Sequence, residues 1–343
     1  MNLLSATSEQ EISVKPAIFV RMFGWCSLGF LLAFLINNIL SLSFDYPGVI
    51  QFFKTPSLAN ILQPLVYIMI FFIAIFWILK TSNNSLRNDA KKITNINAYL
   101  IRGCFFSVLF VGIIDASIAW LRVESLLPVI FDKDMASALL RSGFIGPKIH
   151  APLIILGFLV AFYSRTLGFL WLALMIVGAE LLIVISRFVF SYEQTLMGDL
   201  VRYWYAALFL FASAYTLVEE GHVRVDVLYS TFKTKSKGKV NAYGSIFLGM
   251  ITSITIFLIC IWSKQAIVNS PVMNFEVSQN GTAGMYIKYQ MAAFLLIFAI
   301  TMQIRVLKVR MLKEQLHVLL VKPVHLMIKL DKLDECLVRI VQH

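Results

Sequence analysis

The stretch Glu219-Glu-Gly-His-Val-Arg-Val-Asp-Val-Leu-Tyr229 decides how this chain is arranged. It follows the apolar segment Trp204–Val218, and a lysine-rich run from Lys233 to Lys239 comes directly after it. A second apolar segment begins near Val240. Two long apolar segments joined by a short basic link are typical of a membrane hairpin whose link lies on the cytoplasmic side of the bilayer.

The composition of the whole chain agrees with a membrane location. Of the 343 residues, 59% are hydrophobic and only 14% are charged. A soluble domain is about half apolar and about one quarter charged. The apolar runs are continuous rather than alternating, which favours membrane helices over membrane strands. We therefore predict an all-α integral membrane protein.

The net charge of +11 is the one feature that suggests nucleic-acid binding. The Lys and Arg residues lie mostly in links and in the tail, where they orient a membrane protein, so we expect no nucleic-acid partner. The four cysteines are not spaced for a metal site or a disulfide framework. We expect no metal, no cofactor and no catalytic residue, because the common hydrolase and phosphate-binding motifs are also missing from the sequence.

Eight apolar segments are candidate membrane spans, and a span needs about 20 residues within a range of roughly 17–25. Ile149–Tyr163 is shorter than this range, and Pro147 and Pro152 lie at its start. We count it as a span and predict about eight transmembrane helices. The segments are Ala17–Leu40, Leu62–Leu79, Ala98–Leu121, Ile149–Tyr163, Leu167–Phe190, Tyr203–Val218, Val240–Ser263 and Tyr289–Ile304.

Basic residues orient the second half of the chain. The links Ser191–Leu200 and Gln265–Ile287 contain no Lys or Arg, whereas Gly221–Lys239 and the tail from Arg305 are rich in both. The positive-inside rule therefore places the C-terminus in the cytoplasm. In the tail, residues 312–343, leucines recur at helical spacing between charged residues, which predicts an amphipathic segment that rests on lipid or, alternatively, packs on a partner.

An ordered set of motifs in the second half resembles a known family. Ser186-Arg-Phe-Val-Phe190 ends one span, and Asp199-Leu-Val-Arg-Tyr-Trp204 follows. The next span contains Phe211-Ala-Ser-Ala-Tyr-Thr-Leu217 and ends in Gly221-His-Val-Arg-Val-Asp226. Over about residues 165–312 the chain resembles the small membrane subunit (Q subunit) of the tripartite ATP-independent periplasmic, or TRAP, transporters. The motif and interface candidates are Arg187, Asp199, Arg202, Gly221, His222, Arg224 and Asp226.

The resemblance implies a non-catalytic scaffold subunit of a secondary transporter in the bacterial inner membrane. Its implied partners are a large M-type membrane subunit, which moves a small organic solute with sodium, a periplasmic solute-binding protein and membrane lipids. We expect the solute to be an organic acid. The chain then divides into an N-terminal membrane extension of about four spans (residues 1–165), a four-span core (166–311) and the tail (312–343). The alternative function is a self-sufficient channel or carrier.

The polar residues near the membrane surface each have two interpretations. His222, Arg224 and Asp226 alternate with valines, which favours a structural contact at the membrane edge over a proton relay through His222. Arg187 and Arg202 flank the outer link Ser191–Leu200, where they either reach lipid phosphates or contact a partner.

Two ionisable residues, Asp115 and Glu180, fall within apolar segments, where a charge is costly and usually functional. Glu180 lies two helical turns before Arg187 and shares a face with it, so we expect an ion pair or a hydrogen-bonded carboxyl. We expect Asp115 to hydrogen-bond across helices, and neither residue to be an ion-coupling site. Trp171, Trp204 and Trp262 are expected at the membrane interfaces.

Overall fold

The structure, a computed structural model, describes residues 18–57, 60–166, 168–192, 195–216, 227–277 and 283–307, and the regular structure within these ranges is helical. This confirms the predicted all-α class. The long helices are α1 (Ile18–Ser43), α2 (Leu62–Lys80), α3 (Leu86–Val123), α4 (Ser142–Tyr163), α5 (Phe169–Val189), α6 (Thr195–Thr216), α7 (Lys239–Ile261) and α8 (Lys288–Leu307).

Seven of these helices are long and apolar enough to cross a membrane, judged by length and composition over the described ranges. The protein is therefore a multi-pass membrane protein. The helix outside this set is α6, which begins at Thr195 and so carries Asp199 and Arg202 in its first two turns. We had predicted that this helix would begin near Tyr203, after both charges. A total of eight spans stays a prediction.

Helix α4 begins earlier than its apolar pattern indicated. It starts at Ser142, which gives it 22 residues, enough to span the hydrocarbon. Pro147 and Pro152 do not break it, because the turn Gly146–His150 is π-helical and the Ala151 N–H donates to the Gly146 carbonyl five residues back. Widened turns of this kind are frequent at functional sites.

Helix α3 is the longest element and extends beyond the apolar segment that predicted it. Its 38 residues correspond to about 57 Å, far more than the roughly 30 Å of hydrocarbon. The helix starts at the polar sequence after Ser85, whose hydroxyl accepts a hydrogen bond from the Asn88 N–H. Such an N-cap satisfies one of the free amides of the first turn.

Helices α3 and α8 are the most buried spans and occupy the centre of the bundle. α3 packs against α4 and α6, and α1 packs against α2. From α8, Phe294 packs in the main apolar core with Phe105, Phe211 and Trp204. Trp204 is 1% exposed, and its indole N–H donates to the Val108 carbonyl. Trp204 is therefore buried between α3 and α6, so it does not face lipid as a residue of an interfacial aromatic belt would.

A buried ion pair connects the first three helices at the end of the bundle where α8 finishes. The Nε atom of Arg21 on α1 lies 2.6 Å from Oδ2 of Asp89 on α3, and both side chains are fully buried. The same guanidinium donates to the carbonyl and hydroxyl of Thr81, which follows α2. Trp25 donates to the Asp89 carboxylate as well. These contacts offset the cost of burying both charges, although Oδ1 of Asp89 has no hydrogen-bond partner among the described residues.

Gly221, His222, Arg224 and Asp226, together with the tail at residues 312–343, lie outside the described residues. The predictions made for them stay predictions.

Candidate functional site

The buried carboxylate of Asp115 lies at the centre of a polar network between helices. Asp115 is on α3 and is fully buried. Its Oδ1 atom lies 3.2 Å from Nε2 of His150 on α4. Its Oδ2 atom accepts the backbone N–H of Tyr286 at 2.7 Å, in the non-helical segment just before α8. Asp115 therefore joins three parts of the chain that are distant in sequence.

The network continues from His150 across the bundle. Nδ1 of His150 lies 2.8 Å from the Tyr289 hydroxyl, and the Gln290 amide donates to the same hydroxyl at 3.0 Å. The Tyr203 hydroxyl, on α6, donates to the carbonyl oxygen of Gln290. The Tyr289 hydroxyl accepts from Gln290 and can donate its own proton to Nδ1 of His150, in which case Nε2 donates to Asp115.

The π-helical turn of α4 positions the imidazole. His150 is the last residue of this turn and is fully buried, with its ring stacked on Tyr289 at 5.9 Å between centroids. Gly146 opens the turn, and a Cβ there would lie 2.2 Å from the Phe275 ring. Phe275 in turn contacts the edge of Tyr289. Only glycine at position 146 lets the Phe275 ring approach this closely. The π-helical turn and the two aromatic rings therefore fix the position of His150.

Arg122 lies two helical turns beyond Asp115 and binds the same segment before α8. Its Nη2 atom donates to the Gly284 carbonyl at 2.9 Å, and its guanidinium lies 3.8 Å from the centroid of the Tyr286 ring. The Tyr286 hydroxyl donates to the carbonyl of Leu140, just before α4. A guanidinium over an aromatic face is attractive, and more so when both groups are removed from water. The segment is therefore fixed from α3 and from the residues before α4.

The motif residue Asp199 binds this segment from a third side. Its Oδ2 atom accepts the Met285 N–H at 3.1 Å, and the residue is 9% exposed. Arg202 lies one turn further along α6, 3.8 Å from the other carboxylate oxygen, with its side chain 76% exposed. Such an exposed pair contributes little. Within this motif, Asp199 contacts the interior and Arg202 faces outward.

The other sequence-selected residues lie away from the network. Arg187 is exposed near the end of α5, and Glu180 is exposed at the middle of the same helix. Ser117 donates to the Ile113 carbonyl of its own helix and makes no contact with another helix among the described hydrogen bonds. No three His, Cys, Asp or Glu side chains come together as a metal site in the part of the chain that the structure describes.

The contacts of this network were not predicted from the sequence. From the sequence we assigned no role to His150, Arg122, Tyr203, Tyr289 or Gln290. One signal was present: Tyr289 and Gln290 are two adjacent polar side chains at the start of an apolar span. Polar groups at such positions commonly hydrogen-bond to neighbouring helices.

The network joins two parts of the chain that differ in their similarity to known proteins. Residues 174–314 match the family model described as "Tripartite ATP-independent periplasmic transporters, DctQ component". Asp199, Tyr203, Tyr286 and the start of α8 lie inside this match, whereas the α3 and α4 members of the network lie outside it. No curated protein and no solved structure matches the chain. Residues 174–314 are therefore similar to the DctQ component, the small membrane subunit of the TRAP transporters.

Proposed function

We propose that this protein is a non-catalytic scaffold subunit of a TRAP transporter in the bacterial inner membrane, with its C-terminus in the cytoplasm. Its partners are a large membrane subunit, which moves a small organic acid with sodium, and a periplasmic solute-binding protein. The observation that carries this proposal is the family match over residues 174–314. A scaffold role is also supported by the buried polar side chains, which hydrogen-bond to one another between helices.

The buried polar side chains act as connections between helices. Asp115 and His150 are fully buried, and each binds groups of two other chain segments. A solute or ion site in a membrane protein usually lines a cavity and keeps groups available for its ligand. In the network, the carboxylate, imidazole, phenol and amide groups are already bound to one another. This arrangement favours a rigid support over a transport site.

We further propose that residues 1–165 are an integral part of this scaffold. Asp115 and Arg122 bind the segment that leads into α8, and His150 binds Tyr289 in the first turn of α8. Helix α1 also packs on the core, because Leu31 lies in one apolar cluster with Phe257 of α7 and Ala299 of α8. The extension therefore widens the four-helix core at residues 166–311 and stabilises it.

The basic link of the family motif has a proposed role at the membrane edge. Polar and apolar residues alternate from His222 to Val227 in the sequence, and an extended conformation would place Arg224 and Asp226 on one face. We expect Arg224→Glu or Asp226→Arg alone to lower the yield of the assembled transporter. Unchanged yield in both single variants would exclude a structural role for these charges.

Purification of the tagged chain from its native membrane in mild detergent tests the proposed function. A stoichiometric, highly hydrophobic partner, identified by mass spectrometry as a transporter subunit, is the expected result. The alternative is a self-sufficient carrier. Helices α4 and α7 each contain a π-helical turn, Gly146–His150 and Ser245–Met250, and carriers often interrupt one helix in each half. A chain that elutes alone and transports solute in liposomes would establish the carrier and refute the scaffold.

A further inference from the structure

Glu180 lies at the middle of a membrane helix and faces outward. It is the twelfth of the 21 residues of α5, so it lies about 14–17 Å from either end of the helix. α5 is the least buried of the seven spans. The side chain of Glu180 is exposed, in contrast to Leu172 and Ser186, which form the inward face.

The residues around Glu180 define one continuous outward face. Val177, Leu181 and Val184 lie one turn before, one position after and one turn after the glutamate, and they are 56%, 57% and 48% exposed. We call Val177, Glu180, Leu181 and Val184 the α5 outer face. No described segment of the chain covers it, and no described side chain forms an ion pair with Glu180. The carboxyl group would otherwise face hydrocarbon.

Hydrocarbon offers no hydrogen-bond donor, so an ionisable group at this depth is strongly disfavoured unless protein covers it. This protein shows how it accommodates a carboxylate inside the bilayer: Asp115 is fully buried and receives one donor from a backbone amide and one from an imidazole. Glu180 has no equivalent donors within the described chain. A partner helix at the same depth would supply the donors that the described residues do not.

We propose that the α5 outer face is the surface on which the large membrane subunit docks, with Glu180 bound by a cationic or hydrogen-bond-donating side chain of a partner helix. This inference rests on the proposed function. A second copy of the chain fits the face poorly, because a two-fold contact centred on Glu180 would bring two carboxylates together. The apolar neighbours supply the packing, and the single carboxyl group specifies the register of the contact, as isolated polar residues do between membrane helices.

Glu180→Leu tests the face, because leucine matches its apolar neighbours and should insert into the membrane at least as well as glutamate. In co-purification of the full chain from native membranes, we expect this variant to retain about tenfold less large subunit, the loss typical of one charge-assisted hydrogen bond. Glu180→Gln should retain more partner than Glu180→Leu. Leu182→Ala is the matched control, because Leu182 is 53% exposed but lies on the other side of α5, and wild-type recovery is expected.

Photocrosslinking locates the occupant directly. A photoreactive phenylalanine analogue at position 177 or 184 should attach to the large subunit, and the same probe at position 182 should not. Crosslinks from 177 and 184 to a second copy, crosslinks to lipid alone, or full recovery with Glu180→Leu would each overturn the docking face. If the wild-type chain co-purifies with the large subunit but the expected effects at positions 177, 180 and 184 are not seen, only the docking face is wrong. If wild type recovers no large subunit, the proposed function fails with it.

Discussion

Replacing Asp115 by leucine tests whether the buried network holds the extension to the core. Leucine suits the apolar surroundings of α3 and removes the polar contacts, but its side chain is larger than that of aspartate, so Asp115→Asn is the size-matched comparison. The Tyr286 N–H and Nε2 of His150 would each lose the acceptor that they have now, at 2.7 Å and 3.2 Å. We expect the chain to insert and fold, but with lower stability.

The size of the loss depends on how these two contacts compare with other hydrogen bonds in membranes. Interhelical hydrogen bonds in membrane proteins average about 0.6 kcal/mol with a maximum of about 1.7, whereas bonds to charged groups contribute about 1.5–3 kcal/mol. The segment around Tyr286 is not helical, so its amide has no helical carbonyl to replace the carboxylate. We therefore expect Asp115→Leu to lower the free energy of unfolding by about 2 kcal/mol, above the membrane average for two bonds.

Unfolding in mixed micelles of dodecyl maltoside with increasing SDS measures this free energy for the intact chain. Asp115→Asn keeps one oxygen for the Tyr286 amide and should lose about half as much. The control is Ser117→Ala, on the exposed face of α3, where a change of less than about 0.5 kcal/mol is expected.

A double-mutant cycle adds a second criterion. Asp115→Leu and Tyr289→Phe remove groups on opposite sides of the His150 ring, so their effects should not add, with an interaction of about 0.5 kcal/mol or more. If Asp115→Leu is as stable as Ser117→Ala, or if the two network variants are strictly additive, the network does not stabilise the junction and the reasoning is refuted.

Two further predictions concern packing and charge within the bundle. Arg21→Met leaves the Asp89 carboxylate buried without its cation and should lower the free energy of unfolding by about 3–5 kcal/mol in the same SDS assay. The double variant Arg21→Met, Asp89→Leu should recover most of this loss. A double variant as unstable as Arg21→Met alone would contradict the ion-pair explanation. Gly157→Ala places a methyl group 2.5 Å from the backbone nitrogen of Ser107 and must separate α3 from α4, so a loss of about 1–3 kcal/mol is expected. Gly178→Ala, where a Cβ meets nothing within 4 Å, should leave stability unchanged or raise it by about 0.5–1 kcal/mol, and similar effects of the two alanines would argue against close packing at Gly157.

The positions of the long helices followed from hydropathy, but the starts of α3, α4 and α6 did not. α2 and α8 lie within a few residues of their predicted segments, because a continuous apolar run of this length has few stable alternatives to a helix in lipid. α3 and α6 begin well before their apolar segments, in polar sequence that hydropathy does not distinguish from a link. Local caps and packing against neighbours determined those starts.

For the candidate functional residues, too, the sequence predicted only part of what the structure shows. Glu180 and Asp115 are equivalent in the sequence, since each is one carboxylate within an apolar run, yet one faces outward and the other is fully buried in a hydrogen-bonded network. The side of a helix that faces its neighbours depends on the packing of the whole bundle. When nearly every face of a helix is apolar, the hydrophobic pattern of a single sequence does not show which face is packed against other helices.

The amino-acid sequence by itself determined the helical membrane class, the apolar spans and the family resemblance of residues 174–314, because these depend on composition, on continuous runs and on local motifs. Only the tertiary structure decided which polar groups bind each other. Asp115, His150 and Tyr289 are separated by tens to more than a hundred residues, and they meet because α3, α4 and α8 pack side by side. Hydrogen bonds between helices act over about 3 Å, so they depend on a final arrangement that no local pattern specifies.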